Sequence, residues 1–145
     1  MGFFGQYSNS IDAKGRIIVP LKLRENLGEK FMITKGFDGC VYLMTNDSFE
    51  KLTQNLENAS LTEKAARDIS RYFYGGAAEG EFDAQGRINI PPSLREYAGL
   101  KKDLVTMGTG HRIEIWDKEN FKAYSEDNLN SDKITETAET ANLKL

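Results

Sequence analysis

The amino-acid sequence predicts a mainly β protein with short helices, of the α+β class. We expect two tandem strand-rich units that interlock into one pseudo-two-fold β-barrel, with the helices on the outside. Three observations predict this fold. A segment of the chain occurs twice, both copies show the same order of strand and turn signals, and neither copy alone has enough apolar residues for an independent core. A chain of 145 residues suits a core that is shared between two units.

The duplicated segment occupies residues 12–28 and 83–99, at a constant offset of 71. Ten of its 17 positions are identical, which is too many to arise by chance. The identical pairs are Asp12/Asp83, Ala13/Ala84, Gly15/Gly86, Arg16/Arg87, Ile17/Ile88, Pro20/Pro91, Leu23/Leu94, Arg24/Arg95, Glu25/Glu96 and Gly28/Gly99. The chain is therefore a duplication.

Each copy is expected to contain a strand, an Asp-Ala-x-Gly turn, a second strand, a short helix between a proline and a glycine, and two further strands. Aspartate first and glycine fourth are typical of a type I turn whose glycine adopts a left-handed backbone. Proline suits the first turn of a helix, and glycine suits its end. The expected strands are residues 6–11, 16–19, 31–34 and 40–44, and then 78–82, 87–90, 104–107 and 112–116. The helices are expected between Pro20 and Gly28 and between Pro91 and Gly99.

Further helices are expected after the last strand of each copy and between the copies. Asp47-Ser48-Phe49-Glu50 has the pattern of a capped helix start, and Asp117 precedes a helix at 118–124. The linker helix is predicted from Ser60-Leu61-Thr62-Glu63 to Gly75-Gly76, because apolar residues recur there at helical spacing. The predicted organisation is unit 1 at 5–47, a helical linker at 48–75, unit 2 at 76–124 and a tail at 125–145.

Composition and charge restrict the class of protein. The net charge is −3, and residues 125–145 carry five acids and two bases, so we expect an acidic polar tail that is disordered or loosely helical. The remaining neutral body can still present a basic face. No apolar run approaches the roughly 18 residues of a membrane span, and we expect no secretory signal. The single cysteine, Cys40, excludes an internal disulfide and favours a cytoplasmic location.

The two Asp-x-x-x-Arg loops are the candidate functional sites. In the simplest interpretation, Asp12 and Asp83 cap their turns and pair with an arginine at the surface. A turn needs only aspartate and glycine (Gly15 and Gly86), however, and does not need Arg16 and Arg87 to follow it each time. An arginine held by a carboxylate is a preorganised fork that suits a phosphate or a guanine edge. Lys14 adds a cation to the first loop and its counterpart Gln85 is uncharged, so the first loop is predicted to be the stronger phosphate contact.

The sequence around these residues resembles that of the MraZ family, whose members are built from two SpoVT/AbrB-type swapped-hairpin units. The matching residues are Asp12-Ala13-Lys14-Gly15-Arg16 and Asp83-Ala84-Gln85-Gly86-Arg87, each followed by an Ile-rich strand, proline and Leu-Arg-Glu. Further matches are Lys35-Gly36-Phe37 and Ile113-Glu114-Ile115-Trp116. The resemblance runs from about Gly5 to about Tyr124 and leaves only the tail outside.

The resemblance implies a DNA-binding transcription regulator of the bacterial division and cell-wall gene cluster. It further implies a ring-shaped homo-oligomer that binds repeated promoter boxes on double-stranded DNA and associates with the nucleoid. The family motif assigns DNA contacts to Arg16 and Arg87, and we add Lys14 and Gln85 from the loop tips. We expect no cofactor, metal, small-molecule substrate or membrane partner.

Three alternatives remain open. RNA binding is disfavoured, because the strands near the loops lack the exposed aromatic stacking residues that it would favour. An enzyme that uses Asp12 and Asp83 as paired carboxylates is disfavoured, because the neighbouring arginines would hold both ionised. An antitoxin-like module would join a DNA-binding barrel to a partner-binding tail, and deletion of residues 125–145 would separate it from a regulator. Arg24/Arg95 and Glu25/Glu96 are interpreted as an intersubunit or intrahelix charge set rather than DNA contacts.

Overall fold

A computed structural model describes residues 2–144. Its strands are β1 (Gln6–Ser10), β2 (Arg16–Ile18), β3 (Lys30–Lys35), β4 (Val41–Thr45), β5 (Ala78–Glu81), β6 (Arg87–Asn89), β7 (Asp103–Gly108) and β8 (Ile113–Asp117). Its α-helices are α1 (Leu21–Arg24), α2 (Asn46–Glu57), α3 (Lys64–Phe73), α4 (Pro92–Ala98), α5 (Lys118–Asn128) and α6 (Ser131–Thr140). The order of elements is therefore the same in both copies, as the repeat predicts.

The two repeats are interlocked through their strand pairing. A six-stranded sheet has the order β1-β7-β8-β4-β3-β5, and β2 pairs with β6 in a separate two-stranded ribbon. The first strand of each repeat thus pairs with the third strand of the other, and the ribbon takes one strand from each. Every one of these pairings is antiparallel. The predicted α+β fold with interlocked tandem units is confirmed.

A pseudo-two-fold axis passes through the centres of both sheets. Ile17 faces Ile88 in the ribbon, and Tyr42 faces Glu114 between β4 and β8. The members of each pair occupy equivalent positions in the two repeats. Because each residue meets its own counterpart at the axis, neither repeat can complete its sheets without the other.

The main core fills the space between the ribbon and one face of the large sheet. Residues that alternate along the strands point into it, as expected for sheets with one buried face. Ile17 and Ile88 from the ribbon meet Phe31, Leu43 and Ile113 from the sheet within this cluster. A smaller cluster on the opposite face packs α2 and α5 through Phe49, Trp116 and Phe121. Helices α2 and α5 therefore cover this face of the sheet from outside.

Several local predictions need correction. The first residue of α2 is Asn46, and the side chain of Thr45, not Asp47, accepts the capping hydrogen bond from the Ser48 amide. The linker helix begins at Lys64, so Leu61 lies before it and is 83% exposed. Helix α1 ends at Arg24, short of Gly28, whereas Gly99 ends α4 with the expected left-handed backbone at φ +60°.

The C-terminal region carries more regular structure than a disordered tail. Helix α5 runs on to Asn128, beyond the predicted unit boundary at residue 124, and α6 follows it. No residue of α6 is buried, which agrees with its polar and acidic sequence. Within residues 2–144, each helix is too short or too polar to cross a membrane.

Candidate nucleic-acid interface

The outward face of the β2–β6 ribbon presents four side chains. Ile17 and Ile88 point into the core, where each is 1% exposed, so their neighbours along the strands point outward. The register places Arg16 opposite Asn89 and Ile18 opposite Arg87. The four residues form a rectangle in which Arg16 and Arg87 occupy one diagonal and Ile18 and Asn89 the other. Diagonal neighbours of this kind lie about 7–8 Å apart, so two arginines from different repeats share one small surface.

The first loop holds Arg16 through the carboxylate of Asp12. One oxygen, Oδ1, accepts hydrogen bonds from the backbone amides of Lys14 and Arg16, each at 2.9 Å. The other, Oδ2, accepts one from Nε of Arg16 at 2.7 Å. The backbone closes the turn with Gly15 donating to the Asp12 carbonyl at 3.0 Å. Nε of Arg16 is thus bound to the protein, and within residues 2–144 neither Nη group of Arg16 forms a hydrogen bond.

The second loop repeats this geometry with one difference. Asp83 accepts from the amides of Gln85 and Arg87 at 2.9 and 2.8 Å and from Nε of Arg87 at 2.7 Å. In addition, Nη2 of Arg87 donates to Oε1 of Gln85 at 3.2 Å. Lys14 cannot accept such a bond, because an ammonium group has no acceptor. The two arginines are therefore braced alike at Nε but differ at Nη2.

The same hydrogen bonds lower the pKa of both carboxyl groups. The backbone amide of Arg16 is the largest influence on Asp12, and the equivalent amide of Arg87 is the largest on Asp83. Partial desolvation acts in the opposite direction, and the hydrogen bond from each guanidinium group again lowers the pKa. Both pKa values stay below the ordinary value of 3.8. Each brace is therefore ionised throughout the physiological pH range.

We expect the Asp12–Arg16 brace to persist at neutral pH and to be lost only in acid. Because the folded-state pKa of Asp12 is depressed, its stabilising contribution is complete above pH 3.8 and disappears as the pH falls through the lower folded value. Carboxyl-carbon NMR titration measures this directly. Arg16→Ala removes the guanidinium hydrogen bond but keeps the backbone amide of residue 16, so it will raise the pKa of Asp12 only part of the way toward 3.8. Asp83 in the same sample will keep its depressed pKa and serves as the control. An unchanged Asp12 titration would contradict the brace.

Each loop glycine is covered by an arginine from the other repeat. Gly15 and Gly86 are buried with φ of +84° and +77°, a conformation that favours glycine. A Cβ atom at Gly15 would lie 2.6 Å from Cζ of Arg95, and one at Gly86 would overlap Nη1 of Arg24. Arg24 also lies over the ring of Phe82, 5.7 Å from its centre. The helix of each repeat thus supports the loop of its neighbour.

The residues around the β2–β6 ribbon carry a positive charge, although the chain as a whole is acidic. The loops and their covering residues contain five cations, namely Lys14, Arg16, Arg24, Arg87 and Arg95, together with the carboxylates of Asp12 and Asp83. Both carboxylates are already paired with an arginine. The net charge of the cluster is therefore positive although that of the chain is −3.

The structure brings the predicted site residues to one surface. The side chains of Arg16 and Arg87 are 30% and 28% exposed, so neither is enclosed in the barrel. Lys14 and Gln85 are exposed at the loop tips. The sequence did not predict that Arg24 and Arg95 lie against the loop glycines of the opposite repeat. Neither makes an ion pair with Glu25 or Glu96, so the intrahelix part of that interpretation is wrong. Their identity at the repeat offset was the available signal.

Two interlocked repeats, each with the same braced loop on a shared ribbon, define a two-repeat protein of the swapped-hairpin class. The family model described as "MraZ protein, putative antitoxin-like" matches the chain twice, at residues 3–72 and 73–144. The chain belongs to the MraZ family. This confirms the resemblance noted in the loop and strand motifs.

Curated relatives match over nearly the full length of both chains. A protein named "Transcriptional regulator MraZ" from Acetivibrio thermocellus is 47% identical over 135 residues, covering 92% of this chain and 94% of the relative. Relatives of the same name from Clostridium beijerinckii and Lactobacillus delbrueckii subsp. bulgaricus are 49% and 46% identical, with the same coverage. Their shared name supports a transcription regulator as the broad class of this chain.

Proposed function

We propose that this protein regulates transcription by placing the outward face of its β2–β6 ribbon against the major groove of double-stranded DNA. The observation that carries the proposal is the pair of carboxylate-braced arginines, Arg16 and Arg87, on that one face. A guanidinium group fixed at Nε offers its remaining donors in a defined direction, which suits a guanine edge or a phosphate. The brace reduces the entropy that the side chain would otherwise lose on binding.

The dimensions of the ribbon support this placement. Paired strands lie about 4.8 Å apart, and the major groove, about 12 Å wide, admits a two-stranded β-ribbon with its side chains. The loop tips carry Lys14 and Gln85 beyond each end of the ribbon, within reach of the phosphate backbone that flanks the groove. The proposed contacts therefore divide into a central pair of arginines that face base edges and peripheral groups that face phosphates.

Assembly of several subunits completes the proposal. One subunit with a few phosphate contacts binds weakly at physiological salt. A homo-oligomer, which we propose to be a ring, makes later contacts intramolecular and raises avidity on repeated boxes. The family relationship supports a promoter of the division and cell-wall gene cluster as the target and a cytoplasmic, nucleoid-associated location. An acidic protein with basic ribbons would then bind firmly only where several ribbons engage together.

A binding assay on the DNA upstream of the protein's own gene tests this function. Fluorescence anisotropy at about 150 mM salt should show tighter binding to that DNA than to a shuffled duplex of the same composition. The expected preference is about 1,000-fold or more, as is typical of specific over non-specific binding. Equal affinity for the two duplexes would contradict a sequence-specific regulator.

The salt dependence of binding is expected to increase with the number of subunits engaged. On a duplex of about 12 base pairs, which accommodates one ribbon, five cations limit the slope of log K against log salt to about −4.5. On the complete upstream region the slope should be clearly steeper, because more counterions are released when several ribbons bind. Measurement of both slopes with the same protein preparation checks this. Equal slopes would contradict binding by several ribbons at once.

A further inference from the structure

The second diagonal of the ribbon face carries two side chains that the arginine contacts do not use. Ile18 is 58% exposed, although its neighbours Ile17 and Val19 are each 1% exposed. Asn89 occupies the equivalent position in the second repeat and is also exposed. Among residues 2–144, the side-chain amide of Asn89 forms no hydrogen bond. A single exposed apolar residue is ordinary, but here it lies beside one guanidinium group and opposite another.

We propose that Ile18 and Asn89 determine which bases the ribbon accepts, with Ile18 contacting the methyl group of a thymine and Asn89 pairing with an adenine. This proposal rests on the placement of the ribbon in the major groove. There, thymine is distinguished from cytosine by its C5 methyl group, which apolar side chains contact. Adenine offers an N7 acceptor and an N6 donor, which the amide of asparagine matches with two hydrogen bonds.

The backbone holds both residues in place for such readout. The side-chain amide of Asn9 donates to the carbonyl oxygen of Ile18 at 3.2 Å and ties that end of β2 to β1. Isoleucine is β-branched, so its first side-chain torsion is restricted. At the other side of the ribbon, the amide of Ile90 donates to the carbonyl of Gly15 at 2.8 Å and anchors the strand that carries Asn89. The rectangle is therefore a preformed surface.

The difference between the repeats makes the proposed readout directional. An exact two-fold ribbon would present the same residue at both corners and would favour a palindromic step. Here one corner is apolar and the other is an amide, so reversal of the DNA would exchange a matched contact for a mismatched one at both corners. The two corners lie about 7–8 Å apart, which is about two base-pair steps of 3.4 Å. The thymine and the adenine should therefore be about two base pairs apart.

Changes of one chemical group on a single base, combined with truncation of one protein side chain, test the proposal. Deoxyuridine in place of each thymine in turn removes only the methyl group, and wild-type protein should lose about fourfold in affinity at one position. With Ile18→Ala this loss should vanish at that position alone. Likewise, 7-deazaadenine at one adenine should weaken wild-type binding by about fivefold or more, and Asn89→Ala should abolish that sensitivity. Ile69→Ala and Asn55→Ala, at exposed positions of α3 and α2, should leave both sensitivities unchanged.

The outcomes separate this proposal from the broader function. If wild-type protein prefers its upstream DNA but neither base change has an effect that the matching variant removes, base selection by Ile18 and Asn89 is refuted and DNA binding stands. If only one matching pair is coupled, the directional two-corner readout is refuted. If wild-type protein binds upstream and shuffled DNA equally, the proposed function fails and this inference fails with it.

Discussion

Replacement of both Arg16 and Arg87 by alanine will weaken binding to the upstream DNA by about 30-fold or more. Each guanidinium group that reads a guanine edge with two hydrogen bonds contributes about 1–3 kcal/mol, so the loss of two is about 2–6 kcal/mol per ribbon. Several ribbons on one DNA multiply the effect. The measurement is fluorescence anisotropy at fixed salt, with assembly monitored by light scattering. Each single variant should show an intermediate loss.

Two control variants define the cause of that loss. Arg71→Ala removes an exposed arginine of α3 that is paired with Asp68 at 2.9 Å and belongs to neither loop, and should change affinity by about twofold at most. Arg16→Lys keeps the charge but not the planar fork, so it should retain non-specific binding and lose preference for the upstream sequence. Wild-type affinity in the double variant, with assembly intact, would exclude these arginines as DNA contacts.

Ile17→Ala is expected to destabilise the whole protein, including the second repeat, although Ile17 belongs to the first. Ile17 is 1% exposed and pairs with Ile88 at the pseudo-two-fold axis. Truncation of a buried isoleucine to alanine costs about 2–5 kcal/mol of unfolding free energy, because apolar contacts are lost and a cavity remains. Trp116 is the single tryptophan and lies buried in the second repeat. Its fluorescence during urea unfolding therefore reports whether a defect in the first repeat reaches the second.

Ile18→Ala provides a matched control for this experiment. The two isoleucines are adjacent, but Ile18 is on the outward face of the ribbon, and its truncation should change the free energy of unfolding by about 0.5 kcal/mol or less. We expect the Ile17→Ala transition to remain single and to shift to lower urea by both tryptophan fluorescence and circular dichroism. An early transition that leaves the Trp116 signal unchanged would show that the repeats unfold independently and are not interlocked.

Much of the fold could be predicted from the sequence, because the repeat indicates the order of strands and helices in each copy. Identical residues at a constant offset predicted the same order of elements in both copies, although α1 is shorter than α4, and the shortage of apolar residues in each copy predicted a shared core. The residues at which the helices begin and end were harder to predict. Thr45 caps α2 because the strand β4 ends there, whereas the acidic Asp47 looked like the cap from its spacing alone. Leu61 had helical spacing, but the chain around it forms a turn and leaves its side chain exposed.

The contacts within each loop could be predicted from the sequence, whereas the contacts between the two repeats could not. The braces of Arg16 by Asp12 and of Arg87 by Asp83 depend on residues four apart, so spacing along the chain was sufficient to predict them. Arg24 and Arg95 approach the glycine of the opposite loop because the strands exchange between repeats. That contact depends on three-dimensional topology. The functional roles of all these residues, the unit boundaries and the role of the tail stay predictions.

Disulfide trapping between single cysteines and DNA tests the central claim most directly. Native Cys40 is fully buried and burial raises the pKa of its thiol, so it will not react. Ala13→Cys and Ala84→Cys place an exposed thiol on each loop tip, and Ala59→Cys places one in an exposed turn near the end of α2. With upstream DNA that carries a thiol tethered to cytosine N4 in the major groove, both loop variants should cross-link rapidly and Ala59→Cys should not. Equal cross-linking of all three variants, or cross-linking of Ala59→Cys alone, would contradict a ribbon that faces the groove.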